Sequence, residues 1–414
     1  MTYKKEDIEI MAPVGSFESL TAAIQGGANS VYFGIEQLNM RSKSTNNFTT
    51  EDLKEIVRIC NENNIRSYLT VNTIIYDHDI NLMRQILNIA KESKVTAIIA
   101  SDQAVINYAS TIGLEIHIST QLNISNIETV KFYSHFADVI VLARELSLKQ
   151  VKMITDEIEK EQIKGPSGKL IQIEIFAHGA LCMAVSGKCY LSLHEQNSSA
   201  NRGACLQTCR KAYIVTEKET GFELEIDNEY IMSPKDLSTI NFIDKVLEAG
   251  IRVLKIEGRA RPAEYVKTTS SCYREAVDSC FERTYTQEKI ENWAERLSTV
   301  FNRGFWDGYY LGRKLGEWSS EYGSKATKKK IYIGKGTNYF EKINVAEFEI
   351  QSEDIKVGDQ ILITGPTTGV IETVVEEIRF NLKNVEQAFK GQTISIPIKE
   401  KVRRADKLYK IVDA

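Results

Sequence analysis

The sequence predicts an α/β protein built on a (β/α)8 TIM-like barrel, with a cysteine-rich insertion after strand seven and a small C-terminal all-β barrel domain. Three observations carry this expectation. Eight short apolar, β-branched runs recur between residues 8 and 258, nearly all followed by a helical pattern. Those runs are apolar on both faces, as parallel strands covered by helices require. From residue 331 the pattern changes to short strands separated by turn signals such as VGD and GPTTG.

In order, IEIMAPVG (8–15) leads to a helix from Ser16, and SVYFG (30–34) leads, after a loop, to a helix from Thr50. Thr49 and Thr50 before Glu51 and Asp52 form an N-terminal cap with acidic first-turn residues. RSYLTVN (66–72) precedes a helix near 79–93, and VTAIIAS (95–101) precedes one beginning at Asp102, read as its cap. EIHIST (115–120) precedes a helix near 124–136, and DVIVLA (138–143) precedes one at 147–160. IQIEIFA (171–177) runs into the cysteine stretch, where a β-hairpin is expected at about 211–231. RVLKIEG (252–258) follows a helix at about 236–249 and precedes another from about 262. An open doubly wound sheet is the competing arrangement of the same units. The domains expected are a barrel over 1–282 with its insertion at 178–232, a helical and aromatic connector over 283–330, and a β-barrel domain over 331–414.

A barrel places its active site at the C-terminal ends of its strands. The residues there include Gln121, the pair Arg144 and Glu145, His178, and Glu257 with Arg259. Arg144, Glu145, Gln121, His178 and Arg259 are therefore expected to line one polar pocket. The competing reading for each is a helix cap or a loop salt bridge.

Four of the seven cysteines, Cys182, Cys189, Cys205 and Cys209, fall in one Gly-rich stretch with the spacing C-x6-C-x15-C-x3-C. They would crown the same face as the strand ends. In a reducing compartment, four clustered thiols suggest a metal before they suggest disulfides. Thiolates suit zinc or an iron–sulfur cluster, and this spacing lacks the short C-x2-C knuckles common in zinc ribbons. Spacing leaves both open, beside the bland reading of buried free thiols.

Composition is that of an ordinary soluble protein, 43% hydrophobic and 26% charged. The first residues hold no apolar run fit for a signal peptide, and no stretch is apolar enough to span a membrane, so a cytoplasmic location is expected. A net charge of −4 gives no global case for nucleic acid, although basic clusters such as Lys328, Lys329 and Lys330 remain. The aromatic, Gly-rich stretch FNRGFWDGYYLGRKLGEW (301–318) reads as packing between domains more readily than as a base-stacking surface. The five histidines show no metalloprotease spacing, and no G-x-S-x-G or Gly-rich phosphate loop is present.

Several blocks together carry a resemblance: APVGSFESLTAAIQGGANSVYFG (12–34), LNMRS (38–42), HISTQLNISN (117–126), ARELS (143–147), EIFAHGALCMAVSGKCYLS (174–192), NRGACLQTCR (201–210), SPKDL (233–237), LKIEGRARPAEYV (254–266) and NRGFWDGY (302–309). The chain resembles the collagenase-like peptidase family of unassigned catalytic type. Members of this length with a C-terminal β-domain resemble the branch that makes 5-hydroxyuridine at the wobble position of tRNA. Other members hydroxylate a cytidine of 23S ribosomal RNA or act in oxygen-independent ubiquinone synthesis.

The resemblance implies a [4Fe–4S] cluster on Cys182, Cys189, Cys205 and Cys209, prephenate as co-substrate and hydroxyl source, tRNA as partner, and a partner subunit of the same family. Some members carry a cysteine just after the KDL motif. Here that position is Ser238, which leaves the fourth ligand to Cys209. The competing functions are proteolysis, with Cys182 and His178 as a thiolate–imidazole pair, and a non-catalytic module stapled by zinc that binds RNA or protein.

Overall fold

A computed structural model describes residues 3–42, 47–211, 218–220, 232–312, 316–320 and 323–414. Ten strands form its N-terminal part: β1 (Glu9–Pro13), β2 (Ser30–Phe33), β3 (Arg66–Val71), β4 (Ala97–Ala100), β5 (Ile116–Ile118), β6 (Val139–Val141), β7 (Gln172–Ala180), β8 (Asp236–Ser238), β9 (Val253–Ile256) and β10 (Phe305–Trp306). Strands β1 to β7 pair in order and in parallel, β7 pairs with β9, and β9 returns to β1. The barrel is closed with eight parallel strands. The open-sheet alternative falls, and all eight expected runs are strands.

Helices α1 (Phe17–Gln25), α2 (Thr50–Glu62), α3 (Ile80–Glu92), α4 (Gln103–Thr111), α5 (Ile127–Ser134) and α6 (Leu148–Glu161) follow the first six strands. All but α3 start at a short polar side chain that satisfies a first-turn amide. Thr49 and Asp52 form a capping box on α2, and the Asp102 carboxylate accepts from the Ala104 amide at 2.8 Å. A six-residue helix α7 (Leu191–Gln196) lies in the cysteine insertion. Helices α8 (Ile243–Glu248) and α9 (Ala263–Phe281) flank β9, and α10 (Gln287–Thr299) packs on α9.

Strand alternation sorts the side chains. Ile10, Val31, Leu69, Ile98, Ile116, Ile140, Ile173 and Leu254 point outward and form the main core with the helices. Met11, Tyr32, Tyr68, Ala97, Ile99, Val139 and Val253 fill the barrel's interior. The same alternation turns Glu9, His117, Glu174 and Lys255 inward, all of them buried.

Two departures from the expected elements have physical causes. The helix expected from residue 236 starts only at Ile243. Asp236–Ser238 instead forms β8, antiparallel to the end of β7 that projects beyond the barrel. Residues 305–306, in the expected connector, form β10 and pair with β8. The aromatic stretch packs on the barrel: Trp306 and Tyr310 are buried, and the Tyr310 hydroxyl donates to the Phe176 carbonyl at 2.9 Å. The hairpin expected at about 211–231 lies mostly outside the described residues.

The C-terminal domain holds ten short strands rather than the six expected: β11 (Lys328–Phe340), β12 (Val345–Ile350), β13 (Ile355–Lys356), β14 (Gln360–Gly365), β15 (Gly369–Val374), β16 (Ile378–Phe380), β17 (Lys383–Val385), β18 (Gln387–Ala388), β19 (Thr393–Pro397) and β20 (Lys407–Asp413). Eight make one antiparallel sheet in the order β15-β14-β20-β11-β12-β19-β16-β17, and β13 pairs with β18. Among the described residues the two edge strands do not pair with each other. Its own core is built on Ile333, Phe348, Ile363 and Ile396. The domain is fastened to the barrel through α1: the Gln25 amide donates to the Thr368 carbonyl at 3.0 Å and accepts from the Val370 amide at 2.9 Å.

Candidate active site

The chain past β7 folds back over the barrel mouth and roofs a cavity of about 180 Å³ that is open to solvent. Its wall includes all four clustered cysteines: Cys182, Cys189, Cys205 and Cys209. None is in a disulfide; Cys182 is exposed and the other three are partly exposed. The insertion is tied down by polar contacts. Arg202 makes a bidentate pair with Asp79, at 2.5 and 3.1 Å, and donates to the Ile74 carbonyl at 2.6 Å. The Ile74 amide in turn donates to the Asn201 carbonyl at 3.1 Å. Arg210 donates to the Leu181 and Pro234 carbonyls, each at 2.7 Å, which clasps the two ends of the insertion. At Gly203 (φ +80°) a Cβ would sit 2.4 Å from the Asn39 carbonyl, so only glycine permits this close approach to the loop after β2.

Burial pushes the Cys189 thiol up, and it pushes the Cys209 thiol up to about 11, with Arg210 opposing and the other three sulfurs reinforcing it. Bare thiolates are therefore costly here, and a cationic partner would lower that cost. Among the described residues, no three His, Cys, Asp or Glu side chains converge on a single ion position. The donor set, four free sulfurs around one cavity, is of the type that zinc or an iron–sulfur cluster takes.

The wall also carries five cations. Arg41, Arg144, Arg210, Lys255 and Arg259 line it, with Glu257 as the one carboxylate among the lining side chains. Burial pushes the Glu257 carboxyl up, but Arg41, Arg144 and Arg259 outweigh this and hold it below the usual range. Arg41 reaches it at 3.0 Å, and the Tyr32 hydroxyl donates to it at 3.1 Å. Arg259 is buried and spans the mouth, donating to Thr70 Oγ1 and Asn39 Oδ1 at 3.0 Å each; desolvation lowers it to about 10. Arg144 lies over the Phe176 ring at 4.0 Å, and its Nε is buried without a hydrogen-bond partner.

Three of the five expected pocket residues, Gln121, Arg144 and Arg259, line this cavity. His178 and Glu145 do not. Simple alternation along β7 would turn His178 inward with Glu174 and Phe176. A bulge against β9 intervenes: Phe176 pairs with Lys255, and His178 pairs with the next residue, Ile256. The extra residue reverses the facing. His178 is buried outside the barrel among Tyr265, Tyr273 and Phe305, and desolvation, aided by Arg261, lowers its imidazole to about 3. Glu145 is exposed and off the cavity wall. Ser238 also lies off the wall, while Cys209 is on it. The lining cations Arg41, Arg210 and Lys255 were not among the expected pocket residues. Lys255 had a signal, a lone charge inside the apolar run VLKI.

The fold and site together define a (β/α)8 protein with a four-thiol, cation-rich cavity at the C-terminal mouth of its barrel. Residues 15–320 match Peptidase family U32, and the chain belongs to that family. It is 63% identical, over 98% of both chains, to a Porphyromonas gingivalis protein named collagenase. It is 31% identical to tRNA hydroxylation protein P1 of Bacillus subtilis, covering 89% of this chain and 87% of that one. It is 30% identical to the 23S rRNA 5-hydroxycytidine synthase of Escherichia coli, over 76% of this chain and 47% of that protein. No helix among the described residues is long and apolar enough to cross a membrane.

Proposed function

We propose that the protein hydroxylates RNA, converting the wobble uridine of tRNA to 5-hydroxyuridine, with prephenate as co-substrate and a [4Fe–4S] cluster on Cys182, Cys189, Cys205 and Cys209. The observation that carries this reading is the placement of all four sulfurs on one cavity wall that also presents five cationic side chains. Relatives named for tRNA and rRNA hydroxylation support the substrate class. When bound, the cluster supplies redox or Lewis-acid chemistry at the mouth of the barrel. The protein's own part is to bind and orient. Arg144, with no ion-pair partner among the described residues, suits a carboxylate of the co-substrate. Gln121 offers an amide to a base edge, and the target uridine enters unstacked, as anticodon-loop bases permit. Glu257, kept ionised by its three arginines, is the carboxylate placed to accept a proton within the cavity.

The basic segment before the β-domain contributes less than its composition suggested. Lys328 pairs with Asp413 and Lys330 with Glu264, each at 2.7 Å. The cavity rim is then the stronger candidate for RNA contact.

Proteolysis, the activity named for the Porphyromonas gingivalis relative, would ask for a thiolate–imidazole pair. His178 packs against aromatic rings behind the β7 bulge, off the wall that carries Cys182. The test is nucleoside mass spectrometry of tRNA from a strain lacking the gene, complemented with the wild type or with Cys→Ala variants. The expected result is 5-hydroxyuridine lost on deletion, restored by the wild type and not by the variants. Unchanged 5-hydroxyuridine on deletion would refute the reading.

A further inference from the structure

The barrel interior of this protein carries a string of charges where aliphatic layers are usual. Glu174 on β7 is fully buried and receives Lys255 of β9 at 2.7 Å. Its second oxygen, Oε2, has no hydrogen-bond partner and faces His117 Nδ1 at 3.8 Å. The opposite ring nitrogen, Nε2, faces Glu115 Oε1 at 3.6 Å, at the half-exposed N-terminal end of β5. The string thus runs from solvent beneath the barrel to Lys255 on the cavity wall.

The geometry assigns a proton to each nitrogen of His117: neither has a hydrogen-bond partner, and each stands at ion-pair distance from a carboxylate. A ring nitrogen facing a carboxylate is attracted only while it carries hydrogen; a lone pair there is repelled. His117 faces a carboxylate on both sides, so the imidazolium alone suits both contacts. The other charged neighbours are Glu9 on β1 and Arg66 on β3, which pair with each other. Arg66, Lys255 and Lys169, which acts on Glu115, face the three carboxylates Glu9, Glu115 and Glu174. The phenols of Tyr32 and Tyr68 also face this string, with the Tyr68 ring tilted 48° to the His117 ring at 4.4 Å. Inward residues of β4 and β6, Ile99 and Val139, are apolar. Burial pushes the His117 imidazole down, but Glu115 and Glu174 outweigh it and leave it above its ordinary value.

This matters for the cavity because Glu174 is shared. With a charge on His117, Glu174 divides its attraction and leaves the field of Lys255 available above. Lys255 and Arg144 approach the same Phe176 ring, at 5.7 and 4.0 Å, and Arg144 acts on Glu257 but makes no direct ion pair among the described residues. We propose that Lys255 and Arg144 form a carboxylate-binding subsite on the cavity floor, and that an imidazolium at His117 is the positioning charge that leaves Lys255 able to serve it. The inference rests on the reading that a carboxylate co-substrate enters this cavity, and it adds the residues that receive it.

Two measurements test it, and only one depends on that reading. In protein labelled with 15N-histidine, the His117 resonances near neutral pH should show both nitrogens protonated. Glu174→Gln should convert them to a neutral imidazole. A neutral pattern in the wild type overturns the positioning role. Calorimetric titration with prephenate, and with malonate as a simple dicarboxylate, gives the second readout. Lys255→Met should weaken binding by at least about tenfold, with Lys255→Arg retaining most of it, and His117→Gln should weaken it several-fold. Unchanged affinity in Lys255→Met overturns the subsite. If that variant fails to fold, the double variant Lys255→Met, Glu174→Gln removes the pair together and is read by the same titration. Malonate binding through Lys255 without prephenate binding would keep the subsite and reject the co-substrate reading. Binding of neither would overturn both.

Discussion

Replacing Asp79 with alanine removes the clasp that holds the cysteine insertion over the cavity, together with the bond that its carboxylate accepts from the Tyr76 amide at 2.9 Å. Asp79 is buried, and its carboxylate accepts two hydrogen bonds from Arg202, at 2.5 and 3.1 Å. The guanidinium also stacks on Tyr76 at 4.3 Å and donates to the Ile74 carbonyl, and these two contacts survive the substitution. Charge-assisted bonds of this kind contribute about 1.5–3 kcal/mol each when buried, and exposed pairs contribute less than about 1 kcal/mol. Because Arg202 retains partial exposure, a loss of about 2 kcal/mol for the clasp is expected. That corresponds to about 30-fold more frequent local opening. The assay is amide hydrogen exchange at Ile74, whose amide bonds the Asn201 carbonyl across the same junction. Its exchange should accelerate by about 30-fold while the outer-barrel amides on β1 and β9 stay protected. A change below about threefold would refute the claim that this ion pair docks the insertion. The carboxyl of Asp79 is held below its usual range, chiefly by Arg202. Its contribution is therefore present above the unfolded value and is lost as pH falls through the folded one, so wild-type protection should decline in acid and the variant's should not.

Other outcomes follow from the same geometry. The His178 imidazole, at about 3 in the folded protein against about 6.5 unfolded, is neutral when native and must charge on acid unfolding. Stability should be full above about pH 6.5 and fall steadily toward pH 4, and His178→Phe should flatten that slope in urea titrations; equal slopes would contradict the burial. Gly179 has φ +105°, and a Cβ there would lie 2.4 Å from the Glu257 carbonyl, so Gly179→Ala should cost more than about 2 kcal/mol in urea unfolding. Cys60 and Cys272 lie in the hydrophobic core, so Cys60→Ala or Cys272→Ala should leave metal content unchanged while any of the four cavity variants lowers it.

Most of the barrel was legible because its strands are covered on both faces, which writes each as a largely apolar run. The short strands Asp236–Ser238 and Phe305–Trp306 were not, since they are specified by the projecting end of β7 rather than by their own pattern. At the mouth, Gln121, Arg144 and Arg259 could be read from their position at strand ends. His178 could not, because one bulged residue against β9 reversed its facing, and bulges leave no mark in local composition. The buried string was partly visible: Glu174, His117 and Lys255 each interrupt an apolar run, and a charge inside a parallel strand needs a partner across the barrel. Only the closed register shows that these three are partners of one another.

The account stands or falls on what the four sulfurs hold. Iron, acid-labile sulfide and zinc should be quantified in anaerobically purified protein, alongside its visible spectrum. The expected result is about four irons and four sulfides per chain with broad absorption near roughly 400 nm, lost together in Cys182→Ala, Cys189→Ala, Cys205→Ala or Cys209→Ala. One zinc and no iron, persisting after anaerobic reconstitution, would contradict it.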